Sequence, residues 1–126
     1  MAYEISRNES PEVIERKSAN EPQRLLVAVD ADPSSMHLVR KAALMAQSGH
    51  STWFAVNVDN ARIRSKAAQN QLTKTLSLAQ QLGAEIVLTA DLDIARGILR
   101  VARQKEIGQV ILGKSTPAFS KPRPSV

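Results

Sequence analysis

Cysteine is absent from the 126 residues, which excludes disulfides, thiolate metal sites and a cysteine nucleophile, and fits an intracellular protein. Aromatic residues make up only 3% of the chain, so a core must be built from Leu, Val, Ile and Ala. No run approaches the ~18 consecutive apolar residues of a membrane span, so direct membrane insertion is not expected. The opening residues, Met-Ala-Tyr-Glu-Ile-Ser-Arg-Asn-Glu, lack the basic start and apolar middle of a signal peptide. What remains is ordinary: 43% hydrophobic residues in a length suited to one domain with a real core.

Charge is plentiful but dispersed. The net charge of +5 is spread over Arg40 and Lys41, residues 62–66 and residues 96–105, as on solvated helix faces. Neither aromatic interleaving nor a reader motif accompanies it, so no nucleic-acid partner is expected. The ends differ in sign. Residues 1–22 carry Glu4, Glu9, Glu12, Glu15 and Glu21, whereas the chain after Gly113 carries Lys114, Lys121 and Arg123 without an acid. A basic rim there would favour an anionic ligand.

Gly108-Gln-Val-Ile-Leu-Gly113-Lys-Ser115 matches the phosphate-loop pattern GxxxxGK[ST] letter for letter. A working phosphate loop needs its variable residues in a loop and a helix starting at the Lys-Ser. Here the variable residues are a compact apolar run that reads as a buried strand, and the Pro-rich continuation cannot open a regular helix. The match is therefore formal. Its end still puts a glycine, a lysine and two hydroxyls just past a strand, where α/β sheets hold ligands.

Residues 1–22 are polar and aperiodic and read as a linker or tail, and residues 117–126 as a Pro-rich basic tail. Between them, residues 23–116 alternate strand and helix. Residues 24–30, 52–58, 85–89 and 109–112 read as strands, the first continuously apolar, as in a sheet covered on both faces. Ser34 or Ser35 is placed to cap a first helix that Gly49 stops; a second runs from about Ala61, with Leu72, Leu76, Ala79 and Leu82 on one stripe, to Gly83. Asp91 or Asp93 caps a third that ends near Ile107-Gly108. Strict alternation predicts a three-layer α/β/α sandwich with a parallel sheet and right-handed crossovers.

Several of these segments resemble a known family. Arg24-Leu-Leu-Val-Ala-Val-Asp30, Leu38-Val-Arg-Lys-Ala-Ala-Leu44 and Trp53-Phe-Ala-Val-Asn-Val58 look like a universal stress protein domain. Residues 76–85, 94–103 and 110–115 resemble the variety found in the sensor region of KdpD-type potassium and osmolarity histidine kinases. The resemblance covers about residues 24–116 and implies a parallel sheet in the order 3-2-1-4, counting the four strands in chain order. The family's fifth strand has no counterpart, so it is missing or supplied by a partner, and such an open edge favours a homodimer. A regulatory, non-catalytic sensing module in the cytoplasm, joined to the other domains of a parent sensor kinase, is what the resemblance implies.

That strand order opens a crevice between the first and fourth strands. Asp30, Ala31, Ser34 and Ser35 would meet Gly113, Lys114, Ser115 and Thr116 there, with helix N–H groups available to an anion. In nucleotide-binding relatives an acid ending the first strand meets ribose or adenine, and the backbone after the second strand reads adenine. By position these roles fall on Asp30 and Val58. The relatives' glycine pattern, G-x2-G-x9-G-[ST], keeps only Gly113 here, with Thr116 in place of the second glycine. No cofactor is required by the sequence; ATP or cyclic di-AMP is the ligand class the resemblance implies.

Plainer readings stand beside these. Asp30 also suits a turn or cap, and Lys114 with Ser115 an ordinary polar loop. His37 and His50 lack a third ligand and read as surface or packing residues, Asp91 and Asp93 as helix-start residues, and Trp53 as a cover for the sheet. No catalytic or metal-binding constellation is legible. A free-standing ATP-binding stress protein and a ligand-free dimerisation domain are the alternatives to the sensor module.

Overall fold

The computed structural model describes residues 3–6, 12–16 and 23–113. In chain order its elements are β1 (Tyr3–Ser6), β2 (Glu12–Arg16), β3 (Leu25–Ala28), α1 (Ser35–Gly49), β4 (Trp53–Asp59), α2 (Lys66–Gln81), β5 (Glu85–Ala90), α3 (Ile94–Gln104) and β6 (Gln109–Leu112). They share one sheet in the order β1-β2-β6-β3-β4-β5. Neighbours among β6, β3, β4 and β5 pair in parallel. This is the expected 3-2-1-4 order, with β3, β4, β5 and β6 as its four strands.

The expected open edge is occupied. β2 pairs antiparallel with β6, from Glu12↔Leu112 to Glu15↔Gln109, and β1 pairs antiparallel with β2. Parts of the stretch read as a polar tail thus join the sheet from within the same chain. The unpaired backbone groups of β6 account for it, since an edge strand templates any extended segment that reaches it. The Pro-rich segment 117–126 lies outside the described residues.

Alternation along the central strands fills two cores. Leu25, Val27 and Val29 of the first strand segment face α1 and α2, together with Trp53, Ala55 and Ile111. Leu26 and Ala28 face α3, together with Phe54, Val56, Val58, Val110 and Leu112. Helices therefore cover both faces, which is why β3 reads as continuously apolar. Leu26, Ile98, Ile107, Ile111 and Leu112 are among the fully buried side chains, each worth about 1.5–3 kcal/mol.

Some helix ends differ from the sequence expectation. α1 includes Gly49, and the left-handed cap is His50, with φ 52°. α2 begins at Lys66 rather than near Ala61. Asp59 and Asn60 accept the N–H groups of Ala61 and Arg62, closing local turns that compete with helix. Ser65 then caps α2 by accepting the Ala68 N–H at 3.1 Å. Leu82 is 43% exposed and falls outside the packed stripe, while Thr75 is buried there. Gly83 ends α2 as expected, at φ 105°, a conformation that favours glycine. α3 stops at Gln104, and Ile107 is buried in the connection to β6.

Candidate ligand crevice at the β3 and β6 ends

β3 and β6 are hydrogen-bonded neighbours running the same way, registered from Leu25↔Gln109 to Val27↔Ile111. The turns after Val29 and after Leu112 therefore open at the same rim with no strand between them. β3 leads into α1 on one face, and β6 follows α3 on the other. Adjacent parallel strands with helices on opposite faces are the setting in which α/β sheets hold ligands at the carboxyl ends.

On the β3 side the turn is self-ordered. Asp30 Oδ1 accepts the Ser35 hydroxyl at 2.8 Å and the Asp32 N–H at 2.9 Å. The Asp30 N–H in turn donates to Ser35 Oγ at 3.2 Å. Ser35 is buried by this exchange, and Ala31 packs against the α1/α2 core. Ser34 is the residue before α1, but its side chain makes no cap bond. The Asp32 carboxylate fills that role, accepting the Ser34 N–H at 2.9 Å. The Ser34 bonds hold Asp32 below its ordinary pKa, the backbone bond contributing most.

This changes the expectation for an anion. The N–H groups of Ser35, Met36 and His37 donate to Asp32, Pro33 and Ser34 carbonyls, and an ionised carboxylate already stands at the helix start. Phosphate binding at the α1 N-terminus would have to displace these bonds. Gly113 is buried on the β6 side; Lys114, Ser115 and Thr116 lie outside the described residues.

Val58 turns its side chain away from the rim and into the α3 core, so only its backbone can meet a ligand. Its neighbour Asn57 was not singled out in the sequence. Asn57 is buried and its Nδ2 donates to the Val29 carbonyl at 2.9 Å, tying the ends of β3 and β4 together. A polar residue inside the apolar run 53–58 was the available signal, because a buried amide requires a partner.

The β5–α3 turn holds a second polar cluster. Asp93 caps α3 by accepting the Arg96 N–H at 3.2 Å. Asp91, the other candidate cap, instead pairs with Arg96 at 2.9 Å and Arg100 at 2.7 Å, and its carboxylate is only 6% exposed. Arg100 also donates to Thr89 Oγ1 and the Ala90 carbonyl. The Arg96 bond, then the Asp93 N–H and Arg100, hold the Asp91 pKa far below the usual carboxylate range. Two of the cations read as solvated surface are thus structural. Among the described residues no three metal-ligating side chains gather, and no helix is long and apolar enough to cross a membrane.

The universal stress protein family profile matches residues 21–121. The chain belongs to the universal stress protein family. It is 34% identical over 92 residues to the sensor protein KdpD of Clostridium acetobutylicum, and 32% identical over 92 residues to that of Escherichia coli strain K12. These alignments cover 73% and 71% of this chain but 10% of each relative, so the chain spans about a tenth of the curated proteins it matches. In shape it is similar to a universal stress protein crystallised in complex with cAMP, at TM-score 0.53 and 15% identity, covering 70% of this chain and 69% of that one. It is also similar to UspA from Lactobacillus plantarum, at TM-score 0.51 and 17% identity, covering 80% and 85%. At such identities the two structures establish the α/β fold of this universal stress protein domain.

Proposed function

We propose that this universal stress protein domain is a non-catalytic sensing module of a KdpD-type sensor kinase, taking an adenine nucleotide or cyclic di-AMP in the β3/β6 crevice. The observation that carries this reading is the direct parallel pairing of β3 with β6. It supports a shared rim for Asp30, Ala31, the Val58 backbone and Gly113. Similarity to two KdpD sensor proteins supports the parent protein, and the cAMP complex of a structural neighbour supports the ligand class.

In this reading the base and ribose lie toward Asp30 and the β4 end, and the phosphate toward residues 113–116. The self-capped start of α1 favours that polarity. Ser34 and Ser35 then act mainly by shaping the turn, while Lys114, Ser115 and Thr116 contact the anion. Thr116 carries a Cβ that restricts close backbone approach to phosphate, which favours a cyclic dinucleotide over an extended triphosphate. Homodimerisation belongs to the same reading. β1 occupies one edge of the sheet, and the other edge, β5, exposes Leu88 as a candidate contact.

Calorimetry with ATP, cAMP, cyclic di-AMP and cyclic di-GMP tests the proposal. Saturable binding of an adenine ligand, weakened by Gly113→Val, is expected. Silence for all four ligands would leave the ligand-free dimerisation domain as the better reading.

A further inference from the structure

A groove of about 780 Å³ opens at the rim opposite the crevice, between α1 and α2. Arg40 and Leu44 line it from α1, Leu78 and Leu82 from the end of α2, and Trp53 and Gly83 from the strand side. Its volume lies within the ~300–1,000 Å³ of small-molecule sites. Leu44 is 66% exposed, so its side chain is open to a molecule in the groove.

Among the polar side chains of this groove, Trp53 and Arg40 offer unpaired donors. Trp53 is only 5% exposed, yet its Nε1–H has no acceptor among the described residues. None of the sealed side-chain nitrogens or oxygens among those residues lacks a partner, so Nε1 faces the open groove. A buried indole N–H normally finds an acceptor. Arg40 has no carboxylate partner among the described residues, and no acid lines the groove. Along α1, Arg40 and the lining residue Gln47 are seven positions apart, roughly 10 Å at 1.5 Å per residue. Leu44 lies between them on α1, and Leu78 and Leu82 line the groove from the α2 side.

We propose that this groove binds a medium-length, largely apolar carboxylate whose anionic end meets Arg40 and whose second acceptor takes the Trp53 Nε1–H. A cation, apolar side chains and an indole donor line the same groove, the complement of the groups such a ligand presents. The site is independent of the nucleotide reading, because it lies at the other end of the strands.

Trp53 is the sole tryptophan, so its indole N–H resonance reports on this groove alone. The test titrates the full chain with decanedioate and with decane-1,10-diol, which has the same span without charge. Decanedioate should shift the indole resonance saturably, and the diol should bind about tenfold more weakly. Arg40→Gln, an exposed change that leaves the core intact, should remove that difference. An indole resonance unmoved by decanedioate, equal affinities for the two probes, or an affinity unchanged by Arg40→Gln would each overturn the proposal.

Discussion

Ser35 and Asp30 exchange two hydrogen bonds across the first turn of the domain, hydroxyl to carboxylate at 2.8 Å and backbone N–H to hydroxyl at 3.2 Å. The pair links the end of a central strand to the start of α1. It makes the candidate base-side wall of the crevice a rigid corner rather than a loose loop. Ser35→Ala should therefore cost about 1–3 kcal/mol, because a buried exchange is lost. Chemical denaturation checks this, and an unchanged midpoint would show that the corner is held by other bonds.

A second prediction concerns the contact of α3 with β4. A Cβ on Gly97 would stand 2.8 Å and 3.0 Å from the Val58 methyls and 3.2 Å from Asp91 Cβ. Gly97→Ala should destabilise the domain by about 1–3 kcal/mol through overpacking. Adding Val58→Ala should recover part of that loss, so the two changes should be non-additive in a double-mutant cycle. Strict additivity would contradict the contact.

The Asp91 cluster gives a pH prediction. Arg96 and Arg100 lower the folded-state pKa of Asp91 below its unfolded value. A depressed carboxylate contributes stability that is present above the unfolded pKa, about 3.9, and is lost as pH falls toward the folded one. Wild type should therefore lose stability below about pH 4, and Asp91→Asn should weaken that dependence while lowering stability near neutrality. Denaturation midpoints across acid pH provide the check. An acid limb as steep in the variant as in wild type would place the titrating group elsewhere.

Asn57 yields the fourth prediction. Its amide is the tie between β4 and the Val29 carbonyl at the end of β3. Asn57→Leu should destabilise by about 1–3 kcal/mol, since a buried carbonyl loses its donor. Amide exchange at the ends of β3 and β4 should rise in the same variant, and protection equal to wild type would refute the tie.

How much of this was legible in the chain depends on which interactions decide each feature. The apolar runs 25–29 and 109–112 carry both burial and parallel pairing, so strand order and the shared rim could be read from them with the family resemblance. The α2 start could not, because Asp59 and Asn60 close side-chain turns inside a helix-compatible composition. Pairing of Glu12–Glu15 with β6 was hidden too, since a short polar-flanked segment becomes a strand only where an edge awaits it. At the site, Asp30 was legible as the strand-end acid. Its engagement with Ser35, and the Asp32 carboxylate at the α1 start, depend on three-dimensional geometry that residue types alone do not specify.

The central claim is that the turns after Val29 and Leu112 form one ligand site. Backbone amide NMR of the full chain, titrated with ATP and with cyclic di-AMP, tests it most directly. The account predicts that Asp30, Ala31, Val58 and Gly113 shift together and saturate with one dissociation constant. Saturable binding that moves neither turn, or absence of binding for both nucleotides, would contradict it.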